Sequence, residues 1–268
     1  MGMVDDFLEV SAVVKFFVLM AATGFLVYNG IVLTLFGGNL WLNIVCTLFW
    51  VVFVMSAFNA EDNMDGLAAG LALIASIFVF LLAWPTWQRW LSFLAVAIGG
   101  SCLGFLRYNR HPARIFMGDT GSFFLGFVLA STTVLGQWSE EPVKAIIMPL
   151  LILWVPLFDL TMITVLRWRA GKIKALHEIL TLSDKDHLSH RLVALGLSQD
   201  RAVDLIYLMA ILGGSAALAV QWLTLWACWT TVALCSTLAV LGTWWLDRAT
   251  SHRLVSPEGS GSESGRPV

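Results

Sequence analysis

Carboxylates and amides are concentrated between two long apolar runs, in the segment Asn59–Gly70, which reads NAEDNMDGLAAG. Glu61, Asp62 and Asp65 stand at the end of a hydrophobic run, where charge is costly to place near lipid. The segment therefore predicts the rim of a polar site at a membrane surface. A solvated acidic loop is the alternative, since charges at the ends of membrane helices are common.

Two further polar segments could contribute to such a site. In residues 116–122, FMGDTGS, two glycines allow the backbone to approach a phosphate closely while Asp119 reaches a cation. His187 and His190 are one helical turn apart and could face the same phosphates. Because Mg²⁺ takes few protein carboxylates and keeps positions for water and phosphate oxygens, one or two aspartates plus a diphosphate would complete a site. Together these residues predict metal-assisted phosphoryl transfer.

The histidine pair has two other interpretations. A zinc site would need a cysteine or a third histidine placed to complete it, and the sequence offers none. The two histidines could also be interfacial surface residues that bind nothing. The four cysteines fall inside apolar runs without the paired close spacing of a zinc site, so we interpret them as buried small hydrophobic residues.

The composition shows what kind of protein must position these residues. The chain is 58% hydrophobic and 13% charged, which is typical of polytopic membrane proteins. A helical span needs about 20 apolar residues, and runs of that kind recur along most of the chain, which disfavours a β-barrel. The sequence predicts an all-α, polytopic integral membrane protein with cytosolic active-site loops. It has no basic tract of the sort that binds nucleic acid, and we expect no signal peptide.

About eight transmembrane helices are predicted. They cover residues 16–36, 40–58, 67–84, 90–105, 123–137, 145–166, 202–220 and 222–246. The fifth is short unless Thr120 to Ser122 join it, and the sixth contains two prolines that could kink it. We expect one membrane domain, residues 1–254, followed by a disordered cytosolic tail, 255–268, rich in Gly, Ser and Glu.

Eight crossings place the polar clusters on one side of the membrane. The segments around Asp5, Asp62, Asp119 and His187 would share that side with the C-terminal tail. Of the 16 Lys and Arg residues, only Arg89 and Lys144 fall on the other side. The positive-inside rule therefore predicts that the shared face is cytoplasmic. The asymmetry disfavours the alternative of a cation-coupled transporter, whose ionisable groups tend to lie near mid-membrane on broken helices.

Three ordered motifs resemble those of the polyprenyl-phosphate N-acetylhexosamine-1-phosphate transferases, the glycosyltransferase 4 family. They are residues 59–70, the segment PARIFMGDTGS at 112–122, and DHLSHRL at 186–192. The pattern is closer to the WecA-like undecaprenyl-phosphate GlcNAc-1-phosphate transferases than to the MraY branch. The resemblance covers nearly the whole chain apart from the tail.

The resemblance implies a multi-pass enzyme of the bacterial inner membrane with a cytoplasmic active site. Undecaprenyl phosphate would attack the sugar-linked phosphorus of a UDP-sugar, with GlcNAc the favoured sugar, giving a lipid-diphospho-sugar and UMP. This is the first lipid-linked step of a cell-envelope polysaccharide such as lipopolysaccharide. Mg²⁺ is the expected cofactor, and Mn²⁺ could replace it. The exact sugar, the pathway, the lipid length and homo-oligomer formation are left open.

The resemblance also implies residue roles around the phosphates. Asp5 and Asp6 match the first aspartate motif, which lies near the lipid phosphate and is proposed to activate it. Asp119 matches the principal magnesium ligand, and Asn59 an asparagine that assists metal or diphosphate binding.

The remaining implied roles concern the nucleotide and the sugar. Asp62 and Asp65 match the second aspartate motif, which lines the nucleotide site and completes the set expected to be catalytic. Phe116 matches a ring that packs on the uracil. The histidine segment is expected to contact the diphosphate or the sugar through His187, His190 and Arg191.

The sequence departs from the family pattern in three places. Ser189 stands where a further histidine is common, and Ala60-Glu61 replaces two apolar residues, so that an extra carboxylate could alter metal or substrate affinity. The first aspartate motif begins at Gly2, whereas about three further spans usually precede it. We therefore expect Met1 to be an internal methionine of a longer protein. A truncated, inactive relative that binds lipid or a partner is the alternative.

Overall fold

The computed structural model describes residues 11–169, 171 and 187–231, with isolated positions between 233 and 248. All regular structure in this part of the chain is helical. Its helices include α1 (Ala12–Tyr28), α2 (Leu40–Glu61), α3 (Leu67–Ala83), α4 (Arg89–Asn109), α5 (Gly118–Leu135), α6 (Pro142–Ile152), α7 (Trp154–Arg169), α8 (Leu188–Ala194) and α9 (Gln199–Val220), and residues 225–231 are helical as well. The predictions for Asp5, Asp6 and the tail 255–268 lie outside the described residues.

Four helices, α2, α4, α5 and α9, are long and apolar enough to cross a membrane. α6 and α7 are bent by 79° at their junction and would count as a fifth crossing if the pair forms one span. α1 and α3 are apolar but have 17 residues each, about 25 Å, less than the hydrocarbon core of about 30 Å. The all-helical membrane prediction is confirmed, whereas a count of eight spans is not reached within the described residues and stays a prediction.

Two predicted spans have different limits in the structure. The first was expected to reach residue 36, but α1 ends at Tyr28 because polar side chains of α2 bind the chain that follows. The Leu33 N–H donates to Thr47 Oγ1 at 2.9 Å, and the Phe36 N–H donates to Asn43 Oδ1 at 3.0 Å. These bonds satisfy two backbone N–H groups that a longer helix would have bonded to carbonyls of its preceding turn.

The sixth predicted span is divided into two helices. α6 ends at Ile152, and Pro156 lies in the first turn of α7, where its missing N–H does not interrupt the helix. The proline therefore marks a new start rather than a mild kink. The fifth span begins at Gly118, so residues 120–122 do join it.

Contacts between loops show which helix ends lie together. At one end, the Gln88 amide nitrogen donates to the Gln137 carbonyl at 2.8 Å, and the Gln137 N–H donates back to Gln88 Oε1 at 2.7 Å. At the other end, the Gly66 N–H donates to Asn109 Oδ1 at 3.0 Å. Loops 62–66 and 110–117 therefore share one end of the bundle, as the alternating crossings predict.

Small residues allow the helices around the polar end to pack closely. A Cβ added to Gly126 on α5 would lie 2.7 Å from the Met55 Cα of α2, so these two backbones are in near contact. Similarly, Gly70 on α3 lies against the ring of Tyr207 on α9. Glycine at such crossings is a common way for membrane helices to approach. The α2–α5 contact fixes the distance between the two helices that carry Asn59 and Asp119.

The α2–α5 contact generates a stability prediction. Gly126→Ala should lower the unfolding temperature of the detergent-purified protein, because overpacking at a backbone contact costs about 1–3 kcal/mol. Gly100→Ala is the matched control, since Gly100 is an exposed helical glycine with no atom within 4 Å of an added Cβ. Thermal unfolding followed by tryptophan fluorescence would measure both. Equal unfolding temperatures for the two variants would contradict the close contact.

Candidate active site

Three helices contribute side chains to one polar centre at the end of the bundle. Asp119 lies in the first turn of α5. The first residue of this helix, Gly118, has a left-handed backbone conformation with φ of 61°. Its Oδ1 accepts a hydrogen bond from Asn59 Nδ2 on α2 at 2.9 Å. Its Oδ2 pairs with the Lys15 ammonium of α1 at 2.8 Å. The predicted metal residues Asp119 and Asn59 are thus brought together.

The amide of Asn59 also joins α2 to the start of α5. Its nitrogen donates to Ser122 Oγ at 3.0 Å, and Ser122, which is buried, donates in turn to the Gly118 carbonyl at 3.0 Å. The side chains of Lys15 and Asp119 keep 15% and 25% of their surface exposed. The centre is therefore held firmly from within and still accessible to a ligand.

Lys15 was not predicted as a site residue. It contacts a carboxylate 104 positions away, so no local motif contains both residues. One signal was present, because Lys15 is the only charged residue between Glu9 and Glu61. A lone ionisable residue in an apolar run is by default a candidate for function.

Asp65 binds the loop that follows α4. Its Oδ2 lies 2.8 Å from His111 Nδ1 and accepts the Ala113 N–H at 3.1 Å. The neighbouring Gly66 has φ of 80°, a conformation that favours glycine, and its carbonyl accepts the Tyr207 hydroxyl at 2.6 Å. The structure therefore places Asp65 in a structural contact, and its role towards a nucleotide stays a prediction.

Asp62 and Phe116 belong to the two segments that this contact joins. Asp62 is the C-cap residue of α2 and is half-buried. Phe116, on the loop held by Asp65, is 76% exposed. An exposed aromatic ring beside a polar centre is available to stack on a ligand, which is compatible with the role expected for Phe116.

The histidine segment enters the interior of the bundle. His187 is 2% exposed, and its Nδ1 lies 2.7 Å from Asp159 Oδ2 on α7. Ser189 donates to Asn63 Oδ1 of the acidic segment at 2.7 Å. His190 is half-buried, and Arg191 is 6% exposed. The structure brings the segment next to the acidic residues 59–70 through the hydrogen bond from Ser189 to Asn63.

Asp159 was missed for the same reason as Lys15. It is the only charged residue between Lys144 and Arg167, so its isolation in an apolar run was the available signal. Glu61, predicted to modify the metal or substrate site, is instead 2% exposed. Within the described part of the chain, no hydrogen-bond donor reaches Glu61 Oε1. Burying a carboxyl group in this way costs free energy. Asp119, in contrast, is paired and keeps a quarter of its side-chain surface exposed.

The donor set at Asp119 can be compared with what a magnesium ion needs. Among the described residues, no three His, Cys, Asp or Glu side chains lie close enough to hold a metal by themselves. Mg²⁺ usually keeps several waters and takes one or two carboxylates together with substrate phosphates. Asp119 with the adjacent Asn59 amide fits such a site, provided that a phosphate ligand completes it.

Comparison with known proteins gives a consistent result. A family model described as glycosyl transferase family 4 matches residues 1–137. The chain is 34% identical over 234 residues to a probable undecaprenyl-phosphate N-acetylglucosaminyl 1-phosphate transferase of Bacillus subtilis (strain 168), covering 84% of this chain and 64% of the relative. A decaprenyl-phosphate N-acetylglucosaminephosphotransferase of Mycobacterium leprae (strain TN) is 35% identical over 241 residues, 77% of this chain and 58% of the relative.

A third relative carries a different name. A phospho-N-acetylmuramoyl-pentapeptide-transferase of Desulforudis audaxviator (strain MP104C) is 40% identical over 130 residues, 46% of this chain and 38% of the relative. The chain spans less than two thirds of the length of all three relatives.

The loop contact at Asn109 generates a second prediction. Asn109 is 4% exposed, accepts the Gly66 N–H, and donates to the Ile115 carbonyl at 2.9 Å. Asn109→Ala should cost about 1–3 kcal/mol because both backbone groups lose their partner in a buried place. Asn109→Asp should be no milder, because it replaces the donor with a carboxylate oxygen that faces the Ile115 carbonyl in a buried place. Thermal unfolding should place both variants below the wild type, and an unchanged Asn109→Ala would contradict the prediction.

Proposed function

The chain belongs to glycosyl transferase family 4, and on this premise we propose that it transfers an N-acetylhexosamine 1-phosphate from a UDP-sugar to undecaprenyl phosphate, releasing UMP. GlcNAc 1-phosphate is the favoured group, because the relatives of 34% and 35% identity are named for N-acetylglucosamine. The reaction would be the first lipid-linked step of cell-envelope polysaccharide synthesis. The site would face the cytoplasm at the bacterial inner membrane.

The observation that carries this proposal is the convergence of Lys15 and Asn59 on Asp119 at the end of the apolar bundle. Both reactants are anionic, so a phosphate can attack a diphosphate only where cations and hydrogen-bond donors offset the charge. A site at the helix ends is reached by a lipid headgroup from the bilayer and by a nucleotide sugar from water. A transporter site would be expected nearer mid-membrane.

Asp119, with Asn59 beside it, would hold the magnesium ion, and Mn²⁺ could replace it. When bound, the ion would neutralise the charge that develops on the transferred phosphoryl group. Lys15 balances the Asp119 carboxylate in the structure. In the substrate complex, its ammonium would donate to a phosphate oxygen and help to hold the diphosphate in place.

The other predicted residues would surround this centre. We propose that Asp5 and Asp6 act on the lipid phosphate and that Asp62 lines the nucleotide site. Asp65 would act there through the loop that it holds. Phe116 is exposed on that loop and would stack on the uracil. The histidine segment would contribute His190 and Arg191 to the diphosphate or sugar.

A direct test is release of UMP from UDP-GlcNAc in membranes that contain undecaprenyl phosphate and Mg²⁺. Asp119→Asn should lower turnover by at least about a thousandfold, because it removes the main anionic ligand. Asp204→Asn is the control, since Asp204 forms an exposed ion pair with Arg110 and should matter little. Activity close to wild type in Asp119→Asn would overturn the metal assignment. Absence of UMP release with UDP-GlcNAc and UDP-GalNAc would contradict the function.

Lys15 provides a separate test. Lys15→Met keeps the length of the side chain and should lower kcat/KM about 10- to 100-fold, because charge-assisted hydrogen bonds contribute roughly 1.5–3 kcal/mol. Lys144→Met is the matched control: Lys144 is also largely buried and paired with a carboxylate, Glu141, at the opposite end of the bundle. Steady-state kinetics would compare the two. Equal kinetics for both variants would remove Lys15 from the site.

A further inference from the structure

α8 is too short to determine its own position. It has seven residues, and isolated helices of this length are marginal in water. It nevertheless carries His190 and Arg191, which the proposed function assigns to the diphosphate or sugar. Side chains from two distant parts of the chain bind its first turn, Asp159 of α7 and Asn63 of the acidic segment.

Asp159 binds the start of α8 with both carboxylate oxygens. Oδ1 accepts the Leu188 N–H at 2.8 Å, and Oδ2 lies 2.7 Å from His187 Nδ1. The N-cap residue of α8 makes no capping bond with its own side chain, so a carboxylate from another helix satisfies an N–H that the helix leaves open. The negative charge also suits the N-terminal end of a helix.

Asn63, in the acidic segment that lies much earlier in the sequence, makes a second contact with α8. Ser189 Oγ donates to Asn63 Oδ1 at 2.7 Å across 126 positions. The Asn63 nitrogen donates to the Ala60 carbonyl of its own segment at 2.7 Å, which leaves the oxygen facing Ser189. Because Asn63 lies between Asp62 and Asp65, this bond joins α8 directly to the acidic segment.

We propose that Asn63 and Asp159 are positioning residues that hold α8 against the acidic segment, so that His190 and Arg191 meet the diphosphate of the nucleotide sugar. This inference rests on the proposed function. A protein in which α8 leaves this place is not competent to bind, and apparent affinity falls with the competent fraction. Loss of either contact therefore raises KM for the UDP-sugar, while kcat at saturation is kept. A loss of folded protein alone would lower the apparent kcat and leave KM unchanged.

The test uses the full chain in lipid nanodiscs, with Ser189→Ala, Asn63→Ala and the double variant. KM for UDP-GlcNAc is measured by UMP release at saturating undecaprenyl phosphate, and hydrogen exchange is followed over residues 188–194. Each single variant should raise KM about three- to tenfold with faster exchange in α8, as expected for one lost hydrogen bond. The double variant should resemble Asn63→Ala, because both substitutions remove the same bond.

Ser76→Ala is the matched control for Ser189→Ala. Both serines are 1% exposed, but the Ser76 hydroxyl donates only within its own helix, to the Ala72 carbonyl at 2.7 Å. KM and the exchange of α8 should stay unchanged in Ser76→Ala. Asp159→Asn tests the second contact, since it keeps an acceptor for the Leu188 N–H and removes the charge that faces His187. It too should raise KM and retain kcat.

Three outcomes would overturn the inference: additive effects in the double variant, a loss of kcat at constant KM, or unchanged exchange in α8. Failure of the proposed function is recognised separately, because the wild type would then release no UMP from either UDP-HexNAc. In that case the exchange data still decide whether the bond docks α8. Faster exchange in Ser189→Ala and Asn63→Ala would support docking, and unchanged exchange would exclude it.

Discussion

The carboxylate of Asp119 sets the main constraint on this protein, because it binds side chains from two other helices. Lys15 and Asn59 reach it at 2.8 and 2.9 Å, so the ends of α1, α2 and α5 have to stay aligned within hydrogen-bond distance. The near contact of α2 and α5 at Gly126 fixes the separation that these bonds require. Close packing in the apolar part and charge balance at the polar end are therefore parts of one arrangement. A partly exposed carboxylate paired in this way avoids the desolvation cost of a fully buried ion pair.

Many polar residues near this centre bind other parts of the protein. Asp65 holds His111 and the Ala113 N–H, and Asn109 and Tyr207 bind the two backbone groups of Gly66. Loops at the end of a membrane bundle bury little apolar surface, so their backbone groups need internal partners to stay ordered. The acidic residues at this end consequently have two kinds of contact. Asp65 fixes the shape of the loops, whereas Asp119 joins side chains of two other helices.

The sequence predicted what depends on local patterns and missed what depends on distant contacts. Apolar runs and their breaks located α2 to α5 within a few residues of their observed limits, and the charge distribution indicated that the polar clusters lie at one end. The early end of α1 depends on Thr47 and Asn43, which belong to the next helix. Lys15 and Asp159 find their partners 104 and 28 positions away. Each was nevertheless the only charge in its apolar run, and that isolation was the usable signal.

The last turn of α2 connects the two polar regions of the protein. Asn59 and Glu61 are two positions apart, which places them about 200° apart around a helix. Asn59 accordingly faces Asp119 on α5, while α2 also packs against α7, the helix that carries Asp159. Asp159 in turn binds His187 and the first N–H of α8. A rotation or shift of this one helical turn would therefore act on Asp119 and on the histidine segment together.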